Sequence, residues 1–431
     1  MNELFEKRAE KYFGDESKSF LKLLAEKPTQ GFFLNTRKAS KDEIYDLLDF
    51  EFHRSQLTDD SYYHNEENIG KSIAYELGLI YPQEIAASLT TKFIDRKDVK
   101  IVVDMCAAPG GKTINILNRL DPDVLCISND VKHDRSLVLS SNLERCGLDN
   151  VIVTNKETAK LADELQEKAD IVILDAPCSG EGMIRKYPEI LEDYSLKNID
   201  SLARLQSELL QDAYRLLAPG GQLIYSTCTY AFEEDEDQIS SFLEKHSDMS
   251  LIPVDLPSSS KLPGTVKLSP LNNTEGQFFA LMRKSGIKND GNLRYMKPVK
   301  DRTVEDFLQK NLILDEYYLY KNNDRYYLSL IPLIDLKNNV LKYGINIGEI
   351  RNRRFEPNHN LYRANSLRGL YRYRYDLNEE EYTRFISGNE FRADLTNNYY
   401  LITYRGHSLG FGKCSSGIMK NKYPKGLRRM I

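Results

Sequence analysis

No stretch of about eighteen consecutive apolar residues occurs in this 431-residue sequence, so no hydrophobic membrane-spanning helix is expected. The first eight residues, Met-Asn-Glu-Leu-Phe-Glu-Lys-Arg, are charged almost at once and carry no apolar signal segment. A cytoplasmic protein is therefore expected, without a membrane partner. The 6 cysteines (106, 126, 146, 178, 228 and 414) contain no CxxC pair and no Cys/His cluster at zinc spacing. Neither disulfides nor a metal is expected. Two glycine signatures are also missing. In Ala107-Ala-Pro-Gly-Gly-Lys-Thr113 the glycine that a Walker phosphate loop requires five positions before Gly111 is Cys106. Gly110 and Gly111 are adjacent, so GxGxxG is absent as well, and both an NTPase and a nicotinamide enzyme are disfavoured. Internal repeats and low-complexity tracts are lacking.

A hydrophobic fraction of 41% is ordinary for a chain able to bury real cores, and this length suits two to four domains. Net charge is −5, which argues weakly against a nucleic-acid partner until its distribution is considered. Residues 281–431 hold 28 Lys+Arg against 16 Asp+Glu, and the rest hold 31 against 48. The same C-terminal part carries 16 of the 27 tyrosines. Basic side chains interleaved with aromatics suit phosphate contact and base stacking. A Tyr-rich core beneath a solvated basic face suits the numbers equally well.

Residues 1–95 read as a mixed α/β segment, with helical spacing over 4–13 and 20–24, a short strand at 31–36 and a helix over 85–93. From about Val99 the pattern becomes strand, turn, helix, repeated. Strands are expected at 101–103, 124–128, 151–154, 170–174 and 223–225. Helices are expected over 114–120 and 135–146 and around 202–217, with a closing strand at 278–282. Alternation of this kind gives a doubly wound parallel sheet, here a domain over 96–285. Residues 285–292 read as linker, 286–368 as a mixed intermediate domain, and 369–431 as a small β-rich module ending in a basic tail.

Ligands of open α/β sheets bind beyond the carboxyl ends of the strands. Asp104, Asp130, Glu157, Asp175 and Cys228 all fall at such ends, which points to one crevice. The turn at 107–113 lets a cofactor approach backbone amides at a helix N-terminus. Asp130 is placed to accept hydrogen bonds from ribose hydroxyls, and Glu157 to meet an adenine-side group. A nucleoside cofactor without pyrophosphate fits, and S-adenosylmethionine is such a cofactor. Taken singly, each acid is more often a solvated loop residue.

Cysteine is most often a small buried hydrophobe, and Cys106, Cys126 and Cys146 fit that description. Cys178 and Cys228 differ, because each sits in a polar, turn-rich loop after a strand. Chemistry at carbon 5 of a pyrimidine explains a need for two thiols. A thiolate adding at carbon 6 makes carbon 5 nucleophilic, helped by an acid near ring nitrogen 3. After methyl transfer a base must remove the carbon 5 proton. The acid run Glu233-Glu-Asp-Glu-Asp237 would not favour a thiolate, and its expected role is to complement the N-terminus of the next helix.

Asp-Met-Cys-Ala-Ala-Pro-Gly-Gly-Lys-Thr (104–113), Asp-Ala-Pro-Cys-Ser-Gly-Glu-Gly (175–182) and Tyr-Ser-Thr-Cys-Thr-Tyr (225–230) resemble the motifs of the NOL1/NOP2/Sun RNA cytosine-5 methyltransferases. Asn35-Thr36, Gln83-Glu84 and the C-terminal Gly-His-Ser-Leu-Gly-Phe-Gly-Lys stretch resemble the bacterial group acting on small-subunit 16S rRNA. The resemblance covers nearly the whole chain, most weakly 293–368. It implies a Rossmann-like α/β methyltransferase domain and a C-terminal PUA-like RNA-binding module. It implies Cys228 as nucleophile, Cys178 as the group serving product release, and Asp175 facing the target base, with Lys112 nearby. S-adenosylmethionine would lie among Cys106, Ala107, Ala108, Pro109, Gly110, Gly111, Lys112, Asp130, Glu157 and Asp175. Three positions depart from the pattern: Phe33 replaces an arginine, Ser269 a tryptophan, and Glu157 a common aspartate. The expected substrate is 16S rRNA or the small subunit, bound by a monomer, with no DNA partner. A tRNA cytosine-5 methyltransferase and a non-catalytic assembly factor are the alternatives.

Overall fold

The computed structural model describes residues 2–288 and 293–429. Its centre is a nine-stranded sheet. The strands are β1 (Ile101–Asp104), β2 (Leu125–Asn129), β3 (Val151–Thr154), β4 (Ala169–Asp175), β5 (Leu217–Thr227), β6 (Met249–Leu251), β7 (Gln277–Lys284) and β8 (Val340–Tyr343), with Val266–Leu268 paired beside β7. The order is β6-β7-β5-β4-β1-β2-β3-β8, parallel from β3 through β5 and antiparallel outside. Ile171, Val172, Ile173 and Leu174 of β4 are all fully buried, as a strand covered on both faces requires. Helices α1 (Gly111–Arg119), α2 (His133–Arg145), α3 (Thr158–Glu164), α4 (Leu196–Leu216) and α5 (Glu236–Lys245) flank the sheet. The doubly wound architecture read from the sequence is present.

Several boundaries differ for identifiable reasons. β5 starts at Leu217, six residues before the expected strand, because Pro219-Gly220-Gly221 runs within the strand and does not form a separate turn. Gly220 takes φ +82 there, a conformation that favours glycine. The helix expected over 85–93 ends at Leu89. β8 comes from the stretch that was hardest to read, and it pairs antiparallel along β3. The linker expected at 285–292 falls partly outside the described residues.

Three further sheets surround this core. Phe52–Arg54, Ser61–His64, Gly31–Leu34 and Ile80–Pro82 form an N-terminal four-stranded sheet. Residues 318–329 and 345–357, on either side of β8, fold into a second, antiparallel four-stranded sheet. Five strands between Arg374 and Asn421, with one helix at Glu379–Ile386, build the β-rich C-terminal module. The two ends of the chain share one apolar core, in which Phe32, Tyr62 and Ile80 pack with Leu377, Phe385 and Ile402. No helix among the described residues is long and apolar enough to cross a membrane.

Candidate active site

The carboxyl ends of β1, β4 and β5 converge on one site. Between β1 and α1 the chain turns through a cis Ala108–Pro109 bond and Gly110 at φ +117. The turn is held from several sides. Asn129 at the end of β2 donates to Met105 O at 3.1 Å, and its own carbonyl accepts from Ala107 N at 2.7 Å. Arg135 donates to Ala108 O at 2.7 Å, and Asn142 to Pro109 O at 2.9 Å. Beneath the turn is a cavity of about 180 Å³, lined by Cys106, Ala107, Ala108, Pro109, Gly111, Lys112 and Asp175, with Asp104 and Gln83.

Lys112, in the first turn of α1, reaches Asp175 Oδ2 at 2.7 Å. Ser226 donates to the other oxygen of Asp175 at 2.8 Å. Asp175 is therefore engaged as an acceptor on both sides, one of them an ammonium. Asp104 is fully buried, and Thr113 donates to its Oδ2 at 2.6 Å. Its Oδ1 has no partner among the described residues. Burial, reinforced by neighbouring Asp175, pushes the Asp104 carboxyl up to about 7.

The two loop thiols meet. Cys178 Sγ lies 3.3 Å from Cys228 Sγ and also accepts from the Cys228 backbone N–H at 3.3 Å. Its proton affinity is well above that of an ordinary thiol, through the hydrogen bond to Cys228 and through burial.

What holds the two loops together was not read from the sequence. The run 233–237 does more than complement a helix terminus, and only Glu236 and Asp237 occupy the first turn of α5. Glu233 pairs with Arg8 of the N-terminal helix Glu3–Phe13 at 2.5 Å. Buried Glu234 accepts from Ser179 N at 3.0 Å and from Gln206 Nε2 at 2.8 Å. Asp235 and Glu236 share Lys267, which is fully buried, at 3.1 and 2.7 Å. Glu181, also fully buried, accepts from Tyr230 N at 3.0 Å and from the hydroxyls of Tyr12 and Tyr194. Gly182 donates to Cys228 O at 2.9 Å. It passes so close to Gly276 that a Cβ on Gly276 would lie 2.3 Å from Gly182 Cα. Adjacent acids look alike in a sequence, and only the fold assigns each a different partner.

The remaining expected residues separate. Asp130, nearly buried at the end of β2, accepts from Lys132 N at 3.1 Å and lies 3.3 Å from Arg135. Neither it nor Glu157 lines the cavity of the turn, and Glu157 is exposed just ahead of α3. Cys126 and Cys146 are fully buried, as small apolar side chains are. Among the described residues no cluster of His, Cys, Asp or Glu could hold a metal ion. A nucleoside cofactor fits the turn: the unpartnered Asp104 Oδ1 awaits a donor, and a Cβ on Gly111 would crowd Gln83 Nε2 at 2.9 Å.

Known proteins resemble most of the chain, and curated relatives align over 84% of it. The sequence family described as 16S rRNA methyltransferase RsmB/F matches residues 91–283. The RsmF N-terminal domain matches 1–85, and the RsmF PUA domain matches 372–429. Ribosomal RNA small subunit methyltransferase F of Escherichia coli (strain UMN026) is 30% identical over 84% of this chain and 80% of its own length. The tRNA (cytosine(49)-C(5))-methyltransferase of Pyrococcus abyssi is 34% identical over 63% of this chain and 93% of its own. A solved methyltransferase homologue from Pyrococcus horikoshii superposes with TM-score 0.59 at 28% identity, covering 66% of this chain and 95% of that one. Together with the doubly wound sheet and the paired thiols, these matches identify the chain as a member of the RsmB/F family of 16S rRNA methyltransferases, carrying that family's N-terminal and PUA domains at its ends.

Proposed function

We propose that this protein methylates carbon 5 of a cytosine in 16S rRNA, with Cys228 as nucleophile. The observation that carries the proposal is the pair of thiols 3.3 Å apart beside the Lys112–Asp175 ion pair. S-adenosylmethionine supplies the methyl group, and the residues proposed to hold it are Cys106–Lys112 and Asp175, with Asp130 and Glu157 toward its nucleoside end. The relatives named small subunit methyltransferase F, which align over 84% of this chain, favour 16S rRNA as substrate.

The chemistry follows from the side chains. The Cys228 thiolate adds to carbon 6, and the electron pair moves onto carbon 5, poising it to take the methyl group that bound S-adenosylmethionine would supply, with S-adenosylhomocysteine as the leaving group. Asp175 grips the base edge, and Lys112 beside it balances charge there. Cys178 serves release. While Cys228 is free, the hydrogen bond between the sulfurs keeps the Cys178 proton in place. Once Cys228 is bonded to carbon 6 that cause is gone, although burial still favours the thiol, and Cys178 must pass its proton to water before it can act as a base. It then takes the carbon 5 proton, the ring double bond re-forms, and Cys228 leaves as thiolate. The base must be unstacked to enter, and the N-terminal and PUA domains are proposed to hold the surrounding RNA.

Incubating Cys178→Ala protein with 16S rRNA and cofactor is expected to trap a covalent protein–RNA adduct that survives denaturing gels. Cys228→Ala should give neither adduct nor product. An adduct with Cys228→Ala in place of Cys178→Ala would reverse the two roles. The Pyrococcus abyssi relative favours tRNA as a second reading. Bisulfite sequencing of rRNA and tRNA from a deletion strain separates the two, and an unchanged rRNA pattern would sink the first.

A further inference from the structure

Next to the reaction cavity lies a second one, of about 330 Å³, that the chemistry above leaves unused. Pro82 and Gln83 line both cavities. Gln83 is wedged against the cofactor turn, since its Nε2 is what a Cβ on Gly111 would strike. The far wall includes Met183 and Lys186, five and eight residues beyond Cys178 on the same loop. Neither the two thiols nor the Lys112–Asp175 pair lines the second cavity, so the reacting cytosine belongs elsewhere.

Glu275 sets the chemistry of this cavity. It is only 4% exposed. Its Oε1 is well served, by Thr29 N at 2.7 Å, Thr29 Oγ1 at 2.9 Å and Arg185 at 3.1 Å. Its Oε2 is buried without any hydrogen-bond partner among the described residues. A buried carboxylate oxygen left without a donor is costly, and a ligand N–H placed there recovers that cost. Around it, Gln30 and Gln83 offer amides, Pro82 and Met183 offer apolar faces, exposed Lys186 offers an ammonium, and Glu67, Glu84 and His64 add two further carboxyl groups and an imidazole. Acceptor, amides, flat apolar walls and a cation together match a nucleotide better than a sugar or a peptide. Single-stranded RNA is read in this way, with splayed bases hydrogen-bonded on their edges and backbone phosphate held by cations.

We infer that this cavity binds the nucleotide adjacent to the target cytosine, its exocyclic amino group donating to Glu275 Oε2 and its phosphate meeting Lys186. The inference rests on the reading of the protein as an RNA cytosine methyltransferase and adds a sequence preference to it. Adenine, guanine and cytosine carry the required amino group, and uracil does not.

The test uses the full-length protein and short fluorescent RNAs that present A, C, G or U on either side of one cytosine. Binding is followed by anisotropy, and methylation by transfer of labelled methyl groups. Uracil at one flanking position is expected to weaken binding about tenfold, equivalent to the loss of one good hydrogen-bonded pair. Glu275→Gln and Gln30→Ala should erase that discrimination. Their KM for RNA should rise while cofactor affinity and kcat at saturating RNA stay within about twofold. Thermal unfolding of each variant guards against simple misfolding, and Gln30→Ala leaves the Arg185 ion pair intact. Equal binding of all four flanking bases by the wild type, or unchanged discrimination in both variants, overturns the inference. Base discrimination without any methylation would instead sink the enzymatic reading and leave the subsite standing.

Discussion

Asp104 places a carboxyl at the carboxyl end of β1 where water does not reach, and burial holds it up to about 7. In the unfolded chain the same group titrates near the usual aspartate value, about 4. Between about pH 4 and pH 7 the folded protein therefore retains a proton that the unfolded chain has released. Stability falls as pH rises through that window. Asp104→Asn removes the titration and leaves an acceptor for Thr113. The variant is expected to be more stable than the wild type at pH 8, by on the order of 2 kcal/mol, and nearly equal to it at pH 4. Urea unfolding at the two pH values checks this; an equal difference at both would show that ionisation is not the cause.

The loops that carry the thiols are held by buried carboxylates on other parts of the chain. Glu234 ties the Ser179 amide to Gln206 of α4, and so fixes the loop of Cys178 against a long helix. Misplacing reacting groups by about 1 Å costs on the order of a hundredfold in rate. Glu234→Ala is expected to lower kcat ten- to a hundredfold with cofactor affinity unchanged, whereas Glu234→Gln should keep most of the activity. Steady-state kinetics with isothermal binding of the cofactor distinguish this from a collapsed site, in which both constants would deteriorate together.

The same elements show what a sequence can reveal. β4 was legible because four buried apolar residues end on Asp175 and are followed by proline and glycine. The two thiol loops were legible because their composition is unlike that of a core. Glu181, Glu234 and Arg135 were not, since a carboxylate or guanidinium carries no mark of its distant partner. β8 escaped because Val340-Leu-Lys-Tyr343 is short, and the edge of β3 that it joins lies far away in the sequence. The cavity around Glu275 was equally hidden, because residues from 28 to 275 meet there only in the fold.

At the scale of the whole chain, Arg363 is the joint. Its guanidinium is buried and donates to Ser408 O and Leu409 O of the C-terminal module at 3.0 and 3.3 Å. It also donates to Glu76 O near the N-terminal sheet at 2.7 Å and to Arg145 O at the end of α2 at 2.9 Å. One side chain thus satisfies carbonyls from three parts of the molecule. Arg363→Ala leaves those carbonyls buried and unpaired, at a cost of about 3 kcal/mol or more. The variant should unfold at lower temperature and be cleaved by protease between the C-terminal module and the rest. Loss of Tm without new cleavage sites would show that the three parts stay docked without it.

β8 has a consequence for anyone who wishes to work with a smaller protein. Cutting the chain after residue 288 removes Val340–Tyr343 and strips β3 of its outer neighbour. A bared strand of Val-Ile-Val-Thr, every residue of it buried in the intact protein, is a template for other chains to add to. The shortened protein is expected to form soluble oligomers or precipitate, as light scattering would reveal, while the full-length chain stays monodisperse. A well-behaved piece of this enzyme must therefore keep a neighbour for β3, well beyond the point where the methyltransferase motifs end.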